Sequence, residues 1–219
     1  MGDEIEAVTE TAKAVQEVAK TGRALIEPGT DLAKYVARVL GTVPEDLVGF
    51  LIGDPLQELR QHTLTGILRA AFEKLHRRGV ETAKPVRPGL GKEAFEAASL
   101  ETDETLQDMW AELFANAMDP NKDTSLQRVF IDTLKQIEPI DALVLQTVLG
   151  ATFDLDPFSR KQLANHLDLR RTQVAVSCDR LARLGVLGAE KVGAGGMLRY
   201  TVEAFGVELH LACNPDAPD

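Results

Sequence analysis

Seven side chains in the last third of the chain have the types and spacing to hold an anionic partner. Arg170, Arg171, Gln173, Arg180 and Arg183 recur along one helical stretch, and Lys191 and Arg199 follow it. Guanidinium and ammonium groups placed in this way pair with phosphate or carboxylate oxygens. From Ser159 to Arg199 eight Arg and Lys stand against three Asp and Glu, inside a chain of net charge −10. A local reversal of that kind favours a partner-facing surface, while the overall acidity argues against a chain that coats nucleic acid non-specifically. Ala175, Val176 and Asp179 stand at outward positions of this stretch, and Ala and Val offer a base edge no hydrogen bond. Binding to DNA would then rest on phosphate contacts with little sequence preference, and a protein partner is the other reading.

The remaining reactive residues do not assemble into a catalytic set. His62, His76, His166 and His210 are scattered, and no two have the spacing of a zinc pair, so no metal is assigned. Asp103, Glu104, Asp108 and Glu112 give one helix an acidic face, which solvation and the helix dipole explain without acid-base chemistry. Gly89-Leu90-Gly91-Lys92 is too short for a phosphate loop and follows no strand. No catalytic residue and no cofactor are expected.

These residues need elements to carry them, and the best specified is the stretch Ser99–Pro120. Leu106, Met109, Trp110, Leu113, Phe114 and Ala117 repeat at helical spacing, with the single Trp of the chain in the middle. Trp110, Leu106, Leu113 and Phe114 are the expected keystone of a core. Thr102 is the expected N-cap, and Asp119-Pro120 the stop, since a residue before proline is pushed out of the helical region. A second core helix is expected over about 55–78, with Leu56, Leu59, Thr63, Leu64, Ile67, Leu68, Ala71, Phe72 and Leu75 on one face. Residues 79–91 read as loop, and Ser125 as the cap of a helix that buries Leu126, Val129, Phe130, Leu134 and Ile137. Near the start, Ile5, Val8, Ala12, Val15, Ala19, Gly22 and Ile26 form a weak heptad seam, suited to an edge helix or to a homo-oligomer contact.

After Pro139 the pattern changes. Pro139–Leu149 suits a helix with proline at its first position, Ser159 and Gln162 form a capping box, and Val174, Cys178, Leu181 and Leu184 mark another helix closed by Gly185. Val186–Val192 and Met197–Val202 then read as a hairpin across a glycine-rich turn. The expectation is a mainly α chain: a helical N-terminal domain over 1–137, a winged helix-turn-helix domain with a small β-hairpin over 138–213, and a disordered acidic tail over 214–219. Two cysteines, Cys178 and Cys213, suit buried thiols in a reducing compartment, with the cytoplasm as default. The richest apolar run, Val43–Ile52, is interrupted and too short to span a bilayer.

Two resemblances add to this reading. SRKQLANHLDLRRTQVAVSCDRLARLGVL, with RYTVEAFGVEL after it, resembles the winged helices of MarR-like bacterial regulators, which implies that fold and a possible DNA partner for residues 159–209. The chain from 20 to 213 is similar to the abortive-infection alpha family of bacterial phage-defence proteins. That similarity rests on AASLETDETLQDMWAELFANAMDP and the closing TVEAFGVELHLAC. It implies a mostly helical bacterial protein linked to defence against phage, with no active site to carry over, and the expected function is a non-enzymatic one exercised through protein or nucleic-acid interaction. Arg69 and His76 share a helix face seven residues apart and resemble a loose motif of helical ribonucleases, but Ala70 stands where those enzymes carry a polar residue.

Overall fold

The computed structural model describes residues 57–150, 157–192 and 197–214, together with Val36 and Val39. The heptad seam, the apolar run Val43–Ile52, the glycine-rich turn and the tail after Asn214 lie outside the described residues. Among the described residues the protein is mainly helical, with one small antiparallel sheet. Its helices are α1 (Gln57–Arg77), α2 (Pro88–Ala98), α3 (Glu104–Met118), α4 (Arg128–Leu134), α5 (Pro139–Leu149), α6 (Arg160–Leu167), α7 (Arg171–Arg183) and α8 (Ala204–Cys213). Strands β1 (Leu187–Val192) and β2 (Met197–Val202) stand between α7 and α8.

Helix α3 is the centre. Every residue from Met109 to Asp119 is buried, because α1, α5 and α8 all pack on it. Trp110 stacks on Phe114 at 6.2 Å between ring centroids, and Phe114 meets Phe95 of α2 at 5.4 Å. Leu106 and Leu113 are buried beside them. The N-cap is Asp103, not Thr102: its carboxylate accepts from the amides of Thr105 and Leu106, while Glu101 accepts from the amides of Thr102 and Asp103. A carboxylate one residue further on reaches the free first-turn amides and also complements the helix dipole.

Three further expectations need correction. Residues 88–91 are helix rather than loop, because Pro88 at the first position has no amide to lose there and its fixed φ suits the first turn. Ser125 caps nothing; α4 begins at Arg128 with Gln127 as an N-cap that makes no side-chain bond. Leu59 and Val129 are exposed rather than buried, so the apolar faces of α1 and α4 are narrower than their periodicity implies. Lys84 of the crossover ties it to the end of α3: its amide donates to Met118 O at 2.8 Å and its Nζ to Lys122 O at 2.7 Å.

Helices α5 to α7 and the hairpin follow the expected boundaries closely, whereas α8 was not among the expected elements. Ser159 and Gln162 form the capping box of α6. Asp168, at φ 52°, is the one non-glycine residue with positive φ among the described residues, and it turns the chain from α6 into α7. Aspartate tolerates that left-handed conformation better than most side chains. The hairpin pairs Leu187 with Val202 through Val192 with Met197, and Phe158 adds a bridge to Tyr200 with bonds of 2.9 and 2.8 Å. From β2 the chain enters α8 at once and returns to α3. Gly206 allows that return, since a Cβ there would stand 2.3 Å from Val186 O.

Candidate partner-binding surface

The polypeptide from α6 to β2 sorts its cations into two sets. Some are bound within the fold. Arg180 lies on the side of α7 that faces α5, and its Nη1 donates to Asp141 Oδ2 at 2.7 Å and stands 3.8 Å from Glu138. Asp141 is fully buried and also accepts from the amide of Glu138, so one carboxylate starts α5 and fastens α7 to it. Arg160 donates to Asp179 and, at 2.7 Å, to the hydroxyl of Tyr200, over whose ring its guanidinium lies. The Tyr200 hydroxyl donates in turn to Asp179 at 3.1 Å. Burial, then the bond to Asp179, pushes the Tyr200 phenol up to about 12, so it remains a neutral donor. This triad joins α6, α7 and β2, and Asp179, an outward position in the sequence reading, belongs to it.

The other set faces water. Arg170, Arg171, Arg183 and Lys191 are exposed; Arg170 donates to half-buried Gln173 at 3.1 Å. Arg199 is half-buried and donates to Gln162 at 3.0 Å, linking the hairpin to the α6 capping box. Exposed apolar side chains accompany these cations: Val176 on α7, and Val192 beside Met197 at the end of the ladder. Among the described residues, Val176, Asp179, Ala182 and Arg183 line an open concavity of about 570 Å³. The structure therefore brings Arg170, Arg171 and Gln173 together at the start of α7, places Arg183 at its far end, and turns Arg180 inward.

A second polar cluster, which periodicity did not expose, lies between α1, α3 and α8. Glu112 belonged to the expected solvated acidic face, but it is fully buried. It accepts from Arg78, and Lys74 Nζ stands 3.2 Å from its other oxygen and 2.8 Å from exposed Asp108. Arg78 also donates to Asn116 Oδ1 at 2.8 Å and stands 3.9 Å from Asp119. Asn116 then donates to the carbonyls of Leu211 and Ala212, at 3.2 and 2.9 Å, satisfying two last-turn acceptors of α8. The signal for this site was present as two cations, Lys74 and Arg78, one turn apart at the end of α1. Their acceptors were hidden until α1 and α8 covered α3.

Arg69 and His76 are both exposed on α1, as is His62, and His166 is exposed on α6. His210 is buried on α8, and burial pulls its pKa down. Cys178 and Cys213 are buried free thiols; desolvation raises both, Cys178 to about 12. A thiol held protonated in this way is a weak nucleophile. Among the described residues no three His, Cys, Asp or Glu stand close enough to hold a metal ion, and no helix is long and apolar enough to cross a membrane.

Comparison with known proteins gives one match. The family model described as abortive infection alpha matches residues 60–201, more than half of the 219-residue chain. The matched region runs from early α1 to near the end of β2 and leaves α8 outside. No curated protein and no solved structure matches.

Proposed function

The chain belongs to the abortive infection alpha family, and on that premise we propose that it acts in defence against phage by binding, through the exposed basic surface of α7 and the hairpin. The observation that carries this reading is the division of the cations. Arg160 and Arg180 are consumed by the fold, whereas Arg170, Arg171, Arg183 and Lys191 are held on a rigid frame with their charge turned to water. A frame of this kind positions charge for a partner at little entropic cost. Residues 138–213 form the partner-binding winged-helix part in this reading, residues 1–137 the helical part and 214–219 an acidic tail. Two helices joined through Asp168, followed by a hairpin whose second strand is bridged by Phe158, support the winged-helix assignment.

The test is protection of a bacterial host that carries the gene. Replacing Arg170, Arg171 and Arg183 together with Ala is expected to restore phage plating to the level of a host without the gene, while the thermal midpoint stays within a few degrees of the parent. Unchanged protection rejects the surface as the acting one.

DNA is the second reading, favoured by the placement of Arg170 and Arg171 at the start of the helix that follows the turn. With Ala175, Val176 and Asp179 on α7, contacts would go to phosphates. Each lost contact would then lower the log–log salt slope by about 0.9 on duplex DNA. Fluorescence anisotropy with random and genomic duplexes at two salt concentrations checks this. Tight, salt-insensitive binding to one sequence would refute it.

A further inference from the structure

The molecule carries a second charged surface whose composition mirrors the first. Between Lys92 and Asp108 six Asp and Glu stand against one Lys, a local −5; the stretch from Ser159 to Arg199 has a local +5. The centre of the acidic stretch is the corner where α2 turns into α3. There Leu100 projects with 56% of its surface exposed, although it sits between buried Ser99 and half-buried Glu101. Glu104 is exposed in the first turn of α3, and Glu96 and Asp103 are half-buried on either side of the corner. Leu100 gives this acidic corner an exposed apolar centre, the composition that a contact with a basic surface carrying its own apolar side chains requires.

The basic surface has the matching features. It offers an open face of α7 on which Val176 is exposed beside half-buried Ala182, with exposed Arg183 next to them. It also displays Val192 and Met197, exposed at 49% and 60%, next to Lys191. Of the six acids, Glu93 pairs with Arg128 and Asp108 with Lys74, while Glu101 and Asp103 accept from backbone amides at the start of α3, so the charge the corner presents outward is that of Glu96 and Glu104.

We propose that the partner of the basic surface is a second copy of this chain, whose acidic corner at Leu100 docks on the α7 and hairpin face. The proposal rests on the reading of that face as partner-binding and names its occupant. The occupant must be anionic to meet Arg170, Arg171, Arg183 and Lys191, and it must bring apolar area to cover Val176, Val192 and Met197. Nucleic acid meets the first condition readily, but its backbone offers little to three exposed aliphatic side chains. The Leu100 corner meets both conditions. Because the two patches differ, the contact is heterologous unless two copies exchange it reciprocally; it then produces a closed pair, a ring or a chain of copies. Complementary charge of this kind chiefly speeds encounter and sets register, while the apolar centre slows dissociation.

The experiment is sedimentation velocity of the whole chain over a range of concentrations, at low and high salt. The expected result is concentration-dependent association that weakens at high salt. Leu100→Asp and, separately, Arg171→Glu with Arg183→Glu each shift the protein to monomer, with thermal midpoints near the parent because all three side chains are exposed. Glu96→Lys with Glu104→Lys, which spares the amide-accepting carboxylates of Glu101 and Asp103, does the same. Mixing this acid-reversed variant with the Arg-reversed one restores association, since each then supplies the face that the other lacks. A monomer at every concentration at low salt overturns the proposal, as does association that survives both charge reversals. DNA binding by the monomeric parent, abolished by the Arg reversal, also overturns it in favour of nucleic acid. If association is absent but the Arg substitutions still abolish phage protection, the basic face stands as the acting surface and only the second copy falls.

Discussion

At the residue scale the decisive group is Glu112. Its carboxylate has no exposed surface and meets Arg78 and Lys74, and removing one partner of a buried pair leaves the others uncompensated. Glu112→Gln is therefore expected to lower the unfolding free energy by about 3 kcal/mol, read as a fall in the urea midpoint with unchanged slope. Asn116→Ala removes the donors to Leu211 and Ala212 and is expected to cost about 1–3 kcal/mol. Hydrogen exchange should locate that loss in α8, with α6 and α7 still protected. His210 supplies the pH dependence. Burial holds its folded pKa below the ordinary 6.5, so between the two values the unfolded chain binds a proton that the folded chain does not. Stability from this group is complete above about pH 6.5, falls as the pH drops toward the folded value, and levels off below it. Comparing thermal midpoints of the parent and His210→Gln from pH 7 to pH 5 isolates the effect, and the parent should show the steeper fall.

At the scale of elements, caps and turns set the boundaries more sharply than apolar periodicity does. The start of α3 is the clearest case, since Thr102 and Asp103 are both acceptable caps by type. Only Asp103 makes the two bonds to first-turn amides. Asp103→Ala is expected to cost about 1 kcal/mol, whereas Thr102→Ala, with its side chain exposed, stays within about 0.5 kcal/mol. Chemical denaturation of the two variants decides between the caps. The boundaries of α5, α6 and α7 were legible because proline at a first position, a capping box and a terminal glycine act through adjacent backbone groups. Gln127 has no such signal, and the start of α4 was accordingly misplaced.

At the scale of the whole molecule, stability converges on α3, and the aromatic group Phe95, Phe114 and Trp110 lies at the meeting of α2 with it. Trp110→Ala is expected to cost about 3–5 kcal/mol, a large share of the stability of a domain this size, and to leave the protein poorly soluble. A thermal midpoint within a few degrees of the parent would reject its keystone role. The same convergence makes α8 more than a terminal helix. It follows directly from β2, passes Val186 at Gly206 and is bonded by Asn116, so the hairpin and the central helix share one mechanical connection.

The sequence by itself determined the helical periodicities, the hairpin, the capping box of α6 and the local reversal of charge, because each depends on residues a few positions apart. It also contained enough of the abortive infection alpha pattern for the family to be recognised. What it left undecided were the facts that need two distant segments. Glu112 has the spacing of a solvent-facing residue on its own helix, and it is buried only because α1 brings Lys74 and Arg78 over it. Arg180 and Asp179 have the types of free surface charges, and they are engaged within the fold because Asp141, Arg160 and Tyr200 converge on them from 39, 19 and 21 residues away. Periodicity tells which side chains share a face of a helix. Only the packing of other elements decides whether that face meets water, and a charged group shows no sign in sequence of the partner that makes its burial affordable.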